Sequence, residues 1–153
     1  MQRSFYLGLF FIALGVSLLG LSPARAALGG DAASITSDAT AWHGVDRTTL
    51  LQYYDVHEIS IDNGMRVREY SNRNGVIFAV TWSGPVIPDM QRLLGTSFAA
   101  YAAALATHTG VRRALHIATS DLVVESGGHM RAFSGRAYLP ALIPAGTSAA
   151  DLP

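Results

Sequence analysis

The chain has 153 residues, with eleven arginines, no lysine, eleven acidic residues, five histidines and no cysteine. The absence of cysteine excludes a disulfide framework, a thiolate metal site and attachment of a lipid at an N-terminal cysteine. The arginines are scattered and matched by acids, which is not the charge pattern of a nucleic-acid-binding protein or of a polybasic membrane patch.

The first 26 residues have the pattern of a secretory signal peptide. Arg3 supplies a positive start, an apolar run follows over residues 5–21, and Ala24-Arg25-Ala26 is a cleavage site of the A-x-A type. The alternative is an uncleaved anchor, because an apolar run of about 17 residues is close to the shortest membrane span. The cleavage site directly after the run favours removal of residues 1–26. We therefore expect a protein that is periplasmic or secreted and has no stable membrane span after cleavage.

The remaining chain, residues 27–153, has 127 residues. It contains nine arginines and eleven acids, which gives a net charge of −2. A chain of this length forms one domain and buries roughly two-thirds of its unfolded surface, which is sufficient for a core without cross-links. We predict a single exported domain over residues 27–147 and a flexible tail over residues 148–153.

Residues 31–43 fit a short N-terminal helix. Asp31 can cap its start, and Ile35, Ala39 and Trp42 lie on one helical face. Serine and threonine are frequent in this stretch and lower its helix propensity. The prediction therefore rests on the spacing of the apolar residues.

The turn Asp62-Asn63-Gly64 separates two alternating runs, and the loop length decides which side chains face each other. A two-residue turn would place Glu58 opposite Glu69, which opposes like charges. A three-residue loop with Gly64 in the left-handed conformation matches the character of every pair. The resulting pairs are Ile61 with Met65, Ile59 with Val67, Glu58 with Arg68, and His57 with Glu69. We predict this second register and interpret its charged pairs as a solvated face, since each carboxylate has a basic partner that stabilises its ionised form.

The run VIFAVTW, residues 76–82, is apolar on both sides, which predicts a central strand. Its alternation places Val76, Phe78, Val80 and Trp82 on one side, and Ile77 and Ala79 on the other. Further along, Pro88 begins a predicted helix, which continues with apolar residues at helical spacing until Gly110 stops it. This is the one main helix of the prediction.

Within that helix, Gly95-Thr96-Ser97 resembles the nucleophile segment of subtilisin-type serine proteases. In those enzymes the serine lies at a helix N-terminus. A helix that begins at Pro88 places Ser97 about nine residues inside, where no backbone amide is free for an oxyanion hole. The Asp and His motifs of such an enzyme are absent, and its domain is about twice this size. We predict that Ser97 is not a nucleophile.

The C-terminal part of the chain predicts a second hairpin, with strands over residues 121–125 and 130–139 and a turn at residues 126–129. The expected fold is α+β. It contains an antiparallel sheet of about five strands, formed by a three-stranded meander and this hairpin, with the main helix packed on one face.

Several segments together resemble a known family. They are ALGGDAAS at residues 27–34, VHEI, NGMRVREY, GVIFAVTWSGP, PDMQRLLG, DLVVESGGHMRAFSGRAYLP and PAG. The family comprises small exported proteins of proteobacteria and is classed only as a domain of unknown function. The resemblance covers roughly residues 27–147. It implies an exported domain of one conserved design and supplies no activity, cofactor or catalytic residue.

We predict a non-catalytic binding or accessory module for an envelope protein, a glycan or a small ligand, with no nucleic acid as a partner. The candidate contact residues lie at the second hairpin, where charge alternates with aromatic surface: His129, Arg131, Phe133, Arg136 and Tyr138. The alternative for Phe133 and Tyr138 is a place in the core. A contiguous exposed apolar or aromatic patch would favour binding.

The alternative function is a small periplasmic hydrolase that uses His129 or His116 with a carboxylate such as Asp121 or Glu125. It predicts a concave pocket in which a histidine, an acid and a hydroxyl group lie within hydrogen-bonding distance. The five histidines show no metal-binding spacing such as H-x-H or H-E-x-x-H. We therefore assign no catalytic residue, no metal site and no cofactor from the sequence.

Overall fold

The computed structural model describes residues 27–110 and 114–152. The predicted signal peptide falls on residues 1–26, which lie outside the described residues. The helices are α1 (Ile35–Ala41), α2 (Met90–Leu94) and α3 (Phe98–Thr107). The strands are β1 (Gly44–Leu50), β2 (Tyr54–Ile61), β3 (Arg66–Asn72), β4 (Ile77–Gly84), β5 (Ala114–Ala118), β6 (Val123–His129) and β7 (Ala132–Tyr138).

The strands of the described residues form one antiparallel sheet of seven strands in the order β1-β2-β3-β4-β7-β6-β5. The α+β class and the antiparallel sheet are confirmed, whereas about five strands was too few. The additional strands are β1 and β5, the two edges of the sheet. β1 carries mainly exposed side chains and therefore lacks the apolar alternation that predicts a strand. β5 has five residues, too few for periodicity to distinguish a strand from a helix.

β4 lies at the centre of the sheet, as predicted, and is buried from Ile77 to Trp82. The predicted division of its side chains between the two faces is wrong for two residues. The register with β3 shifts directly after Tyr70, and this β-bulge gives β4 an extra residue. As a result Ile77 packs with Trp82 in the larger core, whereas Phe78 joins Ala79 in a smaller core.

The β2–β3 hairpin has the predicted three-residue loop. Gly64 has a φ of 85°, and the Ile61 N–H donates to the Met65 carbonyl at 2.9 Å. The register is confirmed for the other pairs, which are Ile59 with Val67, Glu58 with Arg68, and His57 with Glu69. The expectation of one solvated face is wrong for half of the charges. Glu58 lies on the face of the sheet opposite the helices, named here the open face. Glu69 lies on the face that α1 covers, named here the helix face, and is fully buried.

The helices cover one face of the sheet, and the main core lies beneath them. Its buried residues include Ile35, Ala39, Ile59, Val67, Ile77, Val80, Trp82, Leu93, Leu94 and Val124. The predicted N-terminal helix is present as α1. A 3-10 turn precedes it, and the Asp31 carboxylate caps that turn by accepting the Ala33 N–H at 2.9 Å.

The predicted single main helix is two helices, α2 and α3, joined by a 3-10 turn over residues 95–97. Gly95 causes the break, because its φ is 51° and an ideal Cβ at this position would lie 2.7 Å from the Ala27 Cβ. Ser97 therefore precedes α3, and its expected place inside a continuous helix is wrong. Its hydroxyl forms no hydrogen bond with a histidine or an acid among the described residues, so the geometry offers no catalytic partner for it.

The C-terminal hairpin turns later than predicted. β6 continues through Gly127-Gly128, and the turn consists of Met130 and Arg131, whose φ is 65°. The prediction placed the turn at residues 126–129 because paired glycines are a strong turn signal. In the structure Gly128 permits a close approach of the two strands, since an ideal Cβ there would collide with the Ala132 carbonyl.

Residues 143–152, named here the C-terminal strap, lie against the open face of the sheet. Ile143 and Leu152 pack on the smaller core, and Leu152 is only 2% exposed. Ser148 and Asp151 form a capping box around the last 3-10 turn. Residues 148–152, predicted as part of a flexible tail, thus have a defined place on the sheet.

Candidate binding site on the open face of the sheet

Every strand contributes one residue to a polar row across the open face. Each residue of this row is the cross-strand partner of the next. In the order of the sheet the row is Arg47, Glu58, Arg68, Thr81, Arg136, Glu125 and His116. Successive side chains of a strand alternate between faces, so that directly paired residues share one face. Charges of alternating sign therefore lie on both sides of Thr81.

Glu58 organises one half of the row. Its Oε2 accepts a hydrogen bond from Arg68 Nε at 2.7 Å, and its Oε1 lies 3.4 Å from Arg66 Nε. The hydrogen bond to Glu58 raises the pKa of Arg68 above its usual value against the opposing effect of burial. A guanidinium has five N–H donors, and these ion pairs use only the Nε donor of each arginine.

Glu125 organises the other half. Its Oε2 accepts from Arg136 Nε at 2.5 Å, and its Oε1 lies 3.1 Å from His116 Nδ1. The hydrogen bond from Arg136 is the main cause that lowers the pKa of Glu125 below its usual value, and desolvation only partly opposes it. Glu125 is therefore a carboxylate at neutral pH.

The two halves border a depression of about 560 Å³ over β4, β7, β6 and β5. Charged side chains line its sides: Arg66, Arg68, Arg136, Glu125 and His116. Small residues line the rest, among them Ser83, Ser134, Gly127, Gly135 and Ala114. Gly135 is the cross-strand partner of Trp82, and an ideal Cβ there would point to the helix face and collide with the indole ring. The lack of bulk along these strands leaves room for a ligand.

The neighbouring part of the open face is apolar and covered. The rings of Tyr54, Tyr70 and Phe78 lie 5.9 to 6.3 Å apart between centroids. The strap packs on them through Leu152, which also borders the depression. Arg136 fixes the end of the strap, because its Nη1 donates to the carbonyl of Ala149 at 2.8 Å. The strap thus covers the aromatic region and leaves the charged region accessible.

The five contact residues predicted from the sequence do not form one patch. Arg136 and Tyr138 lie on the open face, Arg136 in the depression and Tyr138 beside the smaller core. Phe133 points to the helix face, where it lines a second cavity of about 350 Å³. His129 and Arg131 lie at the exposed end of the hairpin. Only Arg136 belongs to the charged depression.

Of the residues predicted for the alternative hydrolase, only two are in contact. His116 and Glu125 form a pair, whereas Asp121 lies in the loop before β6 and His129 lies at the hairpin end. Among the described residues, no hydroxyl group forms a hydrogen bond with His116. Ser126 on the adjacent strand β6 pairs with Leu115, which places its side chain on the opposite face from His116, and Ser134 on β7 is two strands from β5.

A different histidine, His57, has hydroxyl partners but no hydrogen bond to an acid. His57 Nδ1 lies 3.0 Å from Thr48 Oγ1, and its Nε2 lies 3.2 Å from Ser71 Oγ. This histidine is on the helix face, away from the depression. Its cross-strand neighbour Glu69 lies on the same face, but neither carboxyl oxygen of Glu69 has a hydrogen-bond partner among the described residues. No histidine in the described part of the chain is therefore hydrogen-bonded to both an acid and a hydroxyl group.

Arg66, Arg68 and Glu58 were not among the site residues predicted from the sequence. The pairing of Glu58 with Arg68 followed correctly from the loop length, and it was interpreted as a local contact. The missing information was that β7 pairs with β4, which brings Arg136 next to Thr81. This pairing joins two hairpins that are distant in sequence, and no local pattern predicts it.

Two further features of the described residues bear on function. Within residues 27–110 and 114–152, no group of three or more His, Asp or Glu side chains is arranged to hold a metal ion. No helix in the same ranges is long and apolar enough to cross a membrane.

Comparison with known proteins identifies a family for the chain but no role. A family model described as a protein of unknown function, DUF2844, matches residues 24–152. This match confirms the resemblance to a domain of unknown function. No curated protein and no solved structure matches the chain significantly.

Proposed function

The chain belongs to the DUF2844 family, whose description assigns no role, and we propose that the protein is an exported, non-catalytic binding domain. Its ligand is a small molecule or an oligosaccharide that carries a carboxylate beside hydroxyl groups, as an acidic sugar does. The site is the depression on the open face. The observation that carries the proposal is the convergence of three guanidinium groups, those of Arg66, Arg68 and Arg136, on one cavity.

Charge supports an anionic ligand. The three arginines outnumber the two glutamates that pair with them, Glu58 and Glu125. His116 adds a further positive charge when it is protonated. The whole chain has a formal net charge of zero, so the positive excess is a property of this face. A concave surface with a net positive charge attracts ligands of the opposite sign.

Preorganisation also supports binding. The Nε bonds to Glu58 and Glu125 fix the arginine side chains before a ligand arrives, which lowers the entropy lost on binding. The remaining guanidinium donors can form paired, charge-assisted hydrogen bonds with a carboxylate. Ser83 and Ser134 offer neutral hydrogen bonds beside them, which suits the hydroxyl groups of a sugar.

The same geometry disfavours hydrolysis. A general acid at neutral pH needs a raised pKa, whereas that of Glu125 is lowered. His116 Nε2 has no hydroxyl partner among the described residues, so that no activated nucleophile is formed there. The paired charges at this site are suited to holding an anion.

Export is supported by the sequence. The leader has a positive start, an apolar run and a cleavage site of small residues. We propose a periplasmic or secreted location, and the expected ligand is accordingly a component of the cell envelope or of the medium outside it.

Titration calorimetry with a trisaccharide of galacturonic acid tests the proposed function, with maltotriose as the neutral control. We expect binding of the acidic sugar, weakening with added salt, and no binding of maltotriose. Arg66→Gln should weaken binding roughly ten- to hundredfold, since a hydrogen bond to a charged group contributes about 1.5–3 kcal/mol.

Arg47→Gln is the matched control, because Arg47 belongs to the same row at the far edge of the sheet but does not line the depression. It should bind as the unmodified protein does. Equal weakening by both variants would show only a general effect of charge, and binding of neither sugar to the unmodified protein would contradict the proposed ligand class.

A further inference from the structure

Glu69 is the most deeply buried acidic residue among the described residues. It lies on β3 on the helix face and has an exposed fraction of zero. Neither of its carboxyl oxygens has a hydrogen-bond partner within the described residues. An ionised carboxylate in this setting would lose its hydration without compensation. The structure therefore favours a neutral Glu69.

The groups around Glu69 are acidic or already occupied. α1 contributes Asp38, and β1 contributes Asp46. From β2, His57 faces Glu69 in register, but both of its ring nitrogens lie within hydrogen-bonding distance of hydroxyl groups. From β4, the partner is the apolar Val80. No arginine forms an ion pair with Glu69 in the described part of the chain.

These surroundings favour the protonated form of Glu69. Burial, followed by the charges of Asp38 and Asp46, raises the pKa of Glu69 to about 8. The change in protonation thus falls close to neutral pH, where other carboxyl groups are already ionised. An added negative charge at Glu69 would repel Asp38 and Asp46, which belong to α1 and to the edge strand β1.

We propose that helix α1 packs on the sheet only while Glu69 is neutral and that deprotonation of this one carboxyl group releases the helix. Glu69 itself cannot move readily, because β3 is paired on both sides. α1 has only seven residues and depends on its packing through Ile35 and Ala39. Helix α1 is therefore the element that moves away from the sheet when Glu69 becomes negatively charged.

The accessibility of Trp42 reports this release. Trp42 follows directly after α1 and packs against the main core. We expect its quenching by acrylamide to increase at least twofold as the pH rises from 6 to 9.5, with a midpoint near pH 8. Trp42→Phe gives the signal of the buried Trp82 alone, and this signal should be subtracted.

Glu69→Gln preserves the shape of the neutral carboxyl group and should abolish the transition. Asp46→Asn removes one repelling charge and should move the midpoint to lower pH. Glu125→Gln alters a glutamate on the opposite face and should leave the midpoint unchanged. The proposal is overturned if Trp42 is equally accessible at pH 6 and 9.5, or if the transition persists in Glu69→Gln. Should Glu69→Gln fail to fold, an unchanged midpoint in Asp46→Asn overturns it.

Discussion

Glu69 and Glu125 are both strand residues with interstrand neighbours, yet the two faces of the sheet give them opposite chemistry. On the open face, Arg136 lowers the pKa of Glu125, and the carboxylate remains partly exposed to water. On the helix face, burial and two aspartates raise the pKa of Glu69. The residue type is the same, so the difference arises from what each face places opposite it.

One sheet would thus combine the two proposed roles, binding on its open face and a response to pH on its helix face. The open face keeps its charges paired, hydrated and available to a ligand. The helix face holds an acid whose neutral form alone is compatible with packing. The face of the sheet on which a glutamate lies therefore decides whether its pKa is raised or lowered.

The largest expected effect is on Glu69. Its pKa in the folded state is above the value of 4.5 for an unperturbed glutamate, so its contribution to stability is fully present below pH 4.5 and is lost as the pH rises towards 8. Glu69→Gln removes this loss. It should increase the free energy of unfolding by about 3 kcal/mol at pH 7 and by little at pH 4. Urea denaturation at the two pH values measures the change, and equal gains at both would contradict the assignment.

A smaller effect on stability is expected in the smaller core, which lies on the open face of the sheet. Leu152→Ala removes a buried side chain that packs against Tyr70 and Phe78. We expect a loss of about 2 kcal/mol in the free energy of unfolding, detected by thermal denaturation. Leu50→Ala is the matched control, because Leu50 is 73% exposed on the edge strand and should change stability very little. Equal stability of the two variants would show that the strap does not hold the sheet.

The smallest effect is expected at Glu125. Its folded pKa is lowered, so its contribution to stability is present above the unperturbed value and is lost as the pH falls through the folded pKa. Because a third of this side chain is exposed, solvent screening limits the contribution to less than about 1 kcal/mol. Glu125→Gln should therefore slightly lower stability at pH 7 and have a smaller effect as the pH falls below 4.5, whereas Glu69→Gln should raise stability at pH 7. A larger effect at low pH would contradict it.

Local patterns predicted the parts of the fold that depend on neighbouring residues. The position of Gly64 fixed the register of the first hairpin, and the apolar run of β4 identified the centre of the sheet. The break at Gly95 was not predicted, because its cause is the contact with Ala27, far away in sequence. The same limit applies to the turn at Met130, where packing of Gly128 overrides the usual turn signal.

The candidate site was predicted only in fragments for the same reason. The pairs Glu58 with Arg68 and His57 with Glu69 followed from one loop length, and both were interpreted as solvated. Which of the two pairs is buried depends on the face of the sheet that α1 covers. The alternation of side chains along a strand does not predict which face this is. Arg136 was recognised as a candidate, but its neighbours across β4 follow from strand order alone.

Arg136 connects the depression with the end of the chain. One guanidinium donates to Glu125, to the carbonyl of Ala149 and, at 3.4 Å, to that of Leu152. Both carbonyls accept from Nη1, so that an occupant that binds this nitrogen must compete with them. Filling the depression would then loosen the last turn of the strap, and a spectroscopic label near residue 150 would sense occupancy without touching the occupant.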